Sequence, residues 1–408
     1  MNSVCFYFQV HQPYRIRKDY NFFNIGKDHL YFDNQLNKDI IERVSKKCYL
    51  PTTKILLETI QKYKGDFKVA FSLSGTVLEQ LASYQPEVIK LFKELVDTGC
   101  VELLNETYYH SLAYFYSASE FKKQIKLHKE IIESLFNYKA TTFRNTELIY
   151  DNSLAATIEK MGYKTILTEG ANRILGWRSP NYVYMPKTCK KMKLLLKNFK
   201  LSDDIAFRFS RDSKSLTVEE YAKWIHQTAG NGETVNLFMD YETFGEHQWA
   251  DTGILEFLKN LPKAILKKDN FTFNTPSEIS ERYQSMAKID VPHPISWADV
   301  ERDLTAWMGN SMQDSSLNYL YSIEKDLLKT LKKEKNPELL KTWRYLQTSD
   351  HFYYMCTKQF SDGQVHQYFN PFESPEDSYI HFSNVLNDYV ERLKSTLKKN
   401  ESRKTKKS

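Results

Sequence analysis

The chain has 408 residues, enough for one large α/β barrel plus a smaller domain, and its 27 Tyr, 25 Phe and 6 Trp exceed what a core of this size needs for packing. The formal charge of +6 is concentrated at one end: residues 398 to 408 hold six Lys or Arg against one Glu, leaving the rest near neutral at +1 and removing most support for nucleic-acid binding. Five scattered cysteines (Cys5, Cys48, Cys100, Cys189, Cys356) without a CxxC pair indicate neither a disulfide framework nor a zinc site, and no run approaches the roughly 20 apolar residues of a membrane span.

The first predicted strand, residues 3 to 10 (SVCFYFQV), has no basic segment before it and no small-residue cleavage site after it, so a cytoplasmic, soluble protein is expected. Further β-rich runs follow at 67 to 73, 100 to 105, 140 to 146, 164 to 168, 205 to 209 and 234 to 239. Helical spacing lies between them, as in Val88, Leu91, Phe92, Leu95 and Val96, or Phe121, Ile125, His128, Ile132 and Leu135. Strand and helix alternating in this way predict a parallel sheet, and seven such runs favour an α/β fold of the (β/α)7 barrel type over residues 1 to 288. After residue 290 the strands stop. Leu317, Leu320, Ile323, Leu327 and Leu331, then Leu386, Val390, Leu393 and Leu397, predict a C-terminal helical bundle over 289 to 397, with turns at Asn336-Pro337 and Asn370-Pro371. Residues 398 to 408, without an apolar side chain, are expected to be a basic disordered tail.

In a parallel barrel the residues just after each strand share one mouth. The polar clusters of this chain fall there: His11-Gln12-Pro13-Tyr14 after the first run, Glu102, Glu106 and His110 after the third, Arg144-Asn145-Thr146-Glu147 after the fourth, and Asp240 through Gln248 after the last. Two carboxylates facing each other across a sugar-sized gap are what glycosidic bond cleavage requires. Glu147 and Asp240 are the candidates, since each directly ends an apolar strand. Glu242 and Glu246 are expected to raise the proton affinity of Asp240 by like-charge repulsion, fitting it to donate a proton. Any one such acid could instead cap the following helix; several in register with the strands argue against that. His11, His110 and His247 stand beside acids and could bind a divalent metal, but they carry no HxxxH or HExxH spacing, so hydrogen bonding to sugar hydroxyls is the role expected of them.

Taken together, His11-Gln12-Pro13, the stretch from Gly99 through Glu102 to His110, Phe143 through Tyr150, Leu237 through His247, and Ser296-Trp297-Ala298-Asp299 onward to Trp307 resemble the amylase-type members of glycoside hydrolase family 57. The resemblance covers about three quarters of the chain, its segments standing in the family's order. It implies a (β/α)7 barrel followed by a helical bundle, a retaining mechanism with Glu147 as nucleophile and Asp240 as acid/base, no required metal or other cofactor, and an α-1,4-glucan substrate such as starch, glycogen or maltodextrin. It further implies sugar-binding roles for His11, Glu102 and Glu242, a stacking platform at Trp297, and a contribution to the cleft from Asp350-His351. Trp249 and Trp307 read equally well as structural. Relatives that transfer glucan chains tend to carry a β-sandwich after the bundle and Trp where His247 stands; neither feature is present, which favours hydrolysis over 4-α-glucanotransfer. A metal-dependent carbohydrate deacetylase and a non-catalytic glucan-binding protein are the readings from other classes, separable by chelator sensitivity and by release of reducing ends.

Overall fold

The computed structural model of the chain describes residues 1–211, 214–334, 336–358 and 369–405. Its strands in chain order are β1 (Asn2–Val10), β2 (Val69–Leu73), β3 (Val101–Leu103), β4 (Thr142–Arg144), β5 (Thr165–Glu169), β6 (Met185–Pro186), β7 (Lys193–Lys197), β8 (Ser210–Arg211), β9 (Lys214–Ser215), β10 (Thr234–Asp240), β11 (Phe271–Phe273) and β12 (Lys288–Ile289). Two parallel sheets dominate, one in the order β10-β1-β2-β3 with β11 also on β1, the other β4-β5-β7. Backbone hydrogen bonds join them on both sides. Asn105 N donates to Thr142 O at 3.0 Å and Arg144 N to Asn105 O at 2.9 Å, while Asn198 N donates to Asn236 O at 2.8 Å.

Alternation along each strand sorts the side chains of these sheets. Cys5, Tyr7, Ala70, Leu104, Leu167, Leu195 and Phe238 pack into one buried cluster with members from both sheets, and Trp297 lies against it. One step toward the strand ends, the same inward face carries Gln9 in register with Asp240, and Glu169 in register with Lys197. An apolar layer is thus topped by a layer of chemistry-bearing groups at the C-terminal ends of the strands. The helical spacings appear as the helices Pro86–Asp97 and Ala118–Phe136, with Val88, Phe92, Leu95, Phe121, Ile125, His128 and Ile132 buried.

The strands differ from the seven predicted runs in two ways: β11 and the short β6, β8, β9 and β12 were not predicted, and one predicted run is displaced. Residues 205 to 209, expected as a strand, lie at the end of the helix Phe199–Ala206 and beyond, and the strand expected there is β7 at Lys193–Lys197. The Asn198 side chain accepts from Leu201 N and starts that helix immediately after β7. A strand buried on both faces needs no alternation, so the Leu triplet of β7, flanked by Lys, gave no period-2 signal.

The chain divides into two compact units: residues 1–12, 39–108 and 123–303, which contain the sheets, and residues 13–38, 109–122 and 304–408. The boundary expected at 288/289 therefore shifts. Segment 289–303 stays with the first unit because Tyr150 and Ile295 exchange two 2.9 Å backbone hydrogen bonds and Trp297 N donates to Glu147 O at 3.2 Å. Residues 13–38 join the second unit because the carboxylate of Asp388 accepts from Gly26 N at 2.6 Å and the Tyr31 hydroxyl at 2.6 Å, with His29 Nδ1 at 2.7 Å. Residues 109–122 join it through a two-pronged ion pair, Arg344 Nε to Glu120 Oε1 at 2.7 Å and Nη2 to Oε2 at 3.2 Å.

The second unit is built on the helices Ser311–Ser322, Glu324–Lys333, Pro337–Tyr345 and Pro375–Thr405, whose Leu317, Leu320, Leu327, Leu339, Trp343, Leu386, Val390 and Leu393 form its core. The last helix continues through residue 405, where disorder was expected. No Gly or Pro interrupts the sequence from 376 to 405. Residues 406–408 of that expected tail lie outside the described residues. Among the described residues no helix is long and apolar enough to cross a membrane.

Candidate active site

Glu147 follows β4 in the short 3-10 turn Thr146–Leu148, with φ 57° and ψ 28°. Left-handed backbone at a non-glycine residue costs roughly 1 to 2 kcal/mol and persists where surrounding contacts enforce it. Those contacts come from Trp297, whose indole Nε1 donates to Glu147 Oε2 at 2.8 Å and whose backbone N donates to Glu147 O. An indole N–H can only donate, so that oxygen is fixed as an acceptor. The Trp297 ring in turn lies 4.7 Å from the Arg144 guanidinium and 5.5 Å from Lys197 Nζ.

Asp240 ends β10 beside Gln9 of β1. From Gln9 a buried chain of hydrogen bonds runs two ways: its Oε1 accepts from the Tyr7 hydroxyl at 2.9 Å and its Nε2 donates to Glu106 Oε1 at 3.0 Å. Burial pushes the Tyr7 phenol above its ordinary range, Arg144 pulls against that, and the charges of Glu106 and Asp240 push it further up. Tyr7 thus feels groups from both sheets.

Glu242, two residues beyond Asp240, is buried; its carboxyl accepts from the Tyr49 hydroxyl and, at 3.4 Å, from Gln12 Nε2. Burial, and then the charge of Asp240, push its pKa up to about 8. The repulsion expected between Glu242 and Asp240 is thus present on the Glu242 side. Glu242 carries a large upward shift itself, and Glu246 faces cations, with Arg43 Nε at 3.1 Å and Lys47 Nζ at 3.8 Å. Tyr49 reaches Glu242 because residues Ser45–Tyr49 form a π-helical turn that buries Cys48 and Tyr49, and Cys48 Sγ donates to Tyr241 O at 3.1 Å.

His11 directly follows β1, with Nδ1 2.7 Å from Ser74 Oγ, the N-cap of the helix Gly75–Tyr84. His247 is partly exposed in the loop after β10, where its N–H donates to Glu242 O at 2.9 Å. Glu102 departs from expectation. It is the middle residue of β3, level with Ala70 and Tyr7 and below the strand ends. Its oxygens accept from the Thr142 hydroxyl at 2.5 Å and Ser277 N at 2.8 Å, and burial raises its pKa. A buried carboxyl so engaged ties β3 to β4 and to the helix Pro276–Arg282 rather than offering oxygens to a sugar.

His110, Asp350 and His351 belong to the second unit. There His110, with φ 49°, accepts through its carbonyl from Ser349 N at 2.9 Å, and buried His351 has Nε2 3.2 Å from Tyr345 O. Asp350 sits in the first turn of the helix Ser349–Tyr353 and is partly exposed. Trp307 is buried against Tyr353, whereas Trp249 is 53% exposed beside Lys47.

A buried group of charges near Trp297 was not singled out from sequence. Lys197 Nζ lies 3.0 Å from Asp203 and 3.7 Å from Glu169; Arg302 lies 3.4 Å from Asp203 and 3.9 Å from Glu169. Burial raises the Glu169 pKa, with Lys197 and Arg302 pulling it back. Glu169 and Lys197 each end a strand as Asp240 does, and that was their legible signal. Among the described residues no group of three or more His, Cys, Asp or Glu is placed to hold a metal ion.

The model of glycosyl hydrolase family 57 matches residues 5–292. A protein of Methanocaldococcus jannaschii, provisionally named an alpha-amylase, is 44% identical over 408 residues, covering 98% of this chain and 86% of its own length. The crystal structure of a GH57-type branching enzyme from Pyrococcus horikoshii matches with a TM-score of 0.67 at 16% identity, over 98% of this chain and 94% of that one. A 4-alpha-glucanotransferase from Thermococcus litoralis matches with a TM-score of 0.65 at 16% identity, over 86% of this chain and 56% of that one. At such identities the two structures establish a shared fold and no shared activity.

Proposed function

The chain belongs to glycosyl hydrolase family 57, and we propose that it cleaves α-1,4-glucosidic bonds of starch, glycogen or maltodextrins with retention, using Glu147 as nucleophile and Asp240 as acid/base. The observation that carries this reading is the restraint on Glu147. A carboxylate in the short turn after β4 is held in left-handed backbone, with one oxygen fixed by Trp297 Nε1 at 2.8 Å. A nucleophile gains from such preorganisation, since the cost of orienting it is met during folding rather than at each turnover.

Asp240 ends a strand of one sheet and Glu147 follows a strand of the other, so the proposed pair comes from two separate strands. Protonated Asp240 delivers its proton to the glycosidic oxygen as the C–O bond breaks. Glu147 takes the anomeric carbon from the other face, forming a glycosyl ester. Asp240, now a carboxylate, removes a proton from water as that water breaks the ester, which restores Glu147. The mechanism requires carboxyl groups ~5 to 5.5 Å apart. Glu242, held near neutrality of charge by burial, adds a hydrogen-bonding group beside Asp240 without a second full negative charge at neutral pH.

Time-resolved chromatography of the products from maltoheptaose tests the reading. Shorter maltooligosaccharides alone are expected. Products longer than the substrate would place the chain among glucan-transferring enzymes, and no new reducing ends would remove the hydrolase reading. Loss of activity on chelation would turn it toward a metal-dependent reaction.

A further inference from the structure

Resting on the reading of Glu147 as nucleophile, we propose that Trp297 is a positioning residue for Glu147, held by the buried charges of Glu169, Lys197, Asp203 and Arg302, and is not a platform on which a sugar stacks. Each part of Trp297 has an assigned contact. The indole N–H goes to Glu147 Oε2 at 2.8 Å, and the backbone N–H to Glu147 O at 3.2 Å. The backbone carbonyl accepts from Arg302 Nη1. Two cations, Arg144 at 4.7 Å and Lys197 at 5.5 Å, lie within cation–π range of the ring.

The support beneath is as specific. Arg302, with φ 51°, closes a tight loop in which Ser296 N donates to Arg302 O at 3.1 Å. Its guanidinium meets Asp203 and Glu169, and the same two acids meet Lys197, so two anions and two cations cancel within one buried group. Buried ion pairs are poor sources of net stability compared with apolar packing, but they fix geometry. Here the fixed object is the loop that presents Trp297. Arg144 fits the same pattern: it is fully buried, none of its guanidinium nitrogens has a hydrogen-bond partner among the described residues, and its guanidinium lies 4.7 Å from the Trp297 ring. The ring therefore carries buried cations at its face and an anion at its N–H edge.

Two measurements on the full chain test this. The first needs no substrate. In protein labelled with 15N-tryptophan, the indole signal missing from Trp297→Phe identifies Trp297. That signal is expected to shift with pH as Glu147 ionises and to lose the shift in Glu147→Gln; a signal indifferent to Glu147→Gln overturns the proposal. The second is kinetic. Trp297→Phe keeps a ring for the cations but removes the N–H, and is expected to lower kcat by up to about 10²-fold with KM for maltoheptaose nearly unchanged. The acid limb of its pH profile should move to higher pH, because a carboxylate that loses a donor holds its proton more tightly. Arg302→Met should show the same split between kcat and KM, and Arg302→Lys should restore part of it. A raised KM with unchanged kcat in Trp297→Phe would mark a sugar platform and overturn the proposal. Should the wild type cleave no glucan, the functional reading fails, while the indole titration still decides whether Trp297 holds Glu147.

Discussion

Trp297 grips Glu147 from 150 positions away in the chain, donating its indole N–H to Oε2 at 2.8 Å while its backbone N–H reaches the Glu147 carbonyl. That grip joins a segment beyond the last strand to the turn after β4, and it holds a carboxylate in a backbone conformation that an isolated turn would avoid.

Glu147→Gln and Asp240→Asn should each lower turnover on maltoheptaose by at least about 10³-fold, since each removes a group that bonds or moves a proton in the reaction. Both residues are partly exposed and both substitutions keep shape, so thermal unfolding should stay within about 1 kcal/mol of wild type. Normal turnover in either variant would contradict the assigned roles.

Glu242 sets a pH dependence of stability with a definite sign. Its carboxyl, near 4.5 in an unfolded chain, is pushed up to about 8 when folded, so the folded state binds the extra proton between these values. The stabilisation is fully present below pH 4.5, is lost as pH rises toward 8 and then levels off. Urea unfolding should show wild type falling by a few kcal/mol relative to Glu242→Gln between pH 5 and pH 8. Parallel pH profiles for the two proteins would show that Glu242 ionises normally.

Arg344 and Glu120 offer a stability test away from the proposed chemistry. Their two-pronged pair is nearly buried, with side-chain exposures of 11% and 1%. Arg344→Met should cost about 3 to 5 kcal/mol by leaving the Glu120 carboxylate without its cation, and Glu120→Gln added to it should recover much of that. Additive losses in denaturant unfolding would show that the pair is not coupled.

Gly245 stands where the loop after β10 meets the π-helical turn. Its φ is 118°, and a Cβ there would come within 2.0 Å of Lys47 O. Gly245→Ala should therefore cost about 2 kcal/mol or more and, by displacing the turn that brings Tyr49 to Glu242, should lower activity as well. Unchanged melting temperature and rate would mean that the loop yields freely.

The positions of the candidate groups were legible because strands announce their ends. Glu147 and Asp240 each close an apolar run, and His11, Glu242 and His247 follow such runs closely. Glu102 was misplaced because it was grouped with Glu106 and His110 after the third run although it lies within that run's own bounds of 100 to 105, and β3 places it mid-strand. β7 was missed because three leucines between lysines carry no β signature until burial on both faces is known. The second unit's claim on residues 13–38 and 109–122 depends on Asp388 and Arg344, partners hundreds of positions away that no local pattern specifies. The Trp297 clamp was out of reach for the same reason. Sequence marks Trp297 as a notable aromatic, but its work depends on which groups meet its edge and its face.

The assignment of the nucleophile is tested most directly by azide rescue of Glu147→Ala on an activated α-glucoside. Restored turnover and a β-glucosyl azide product, inverted at the anomeric carbon, are expected, because azide fills the space of the missing carboxylate on the face opposite the leaving group. Rescue in Asp240→Ala but not in Glu147→Ala, with an inverted product there, would reverse the two roles and contradict it.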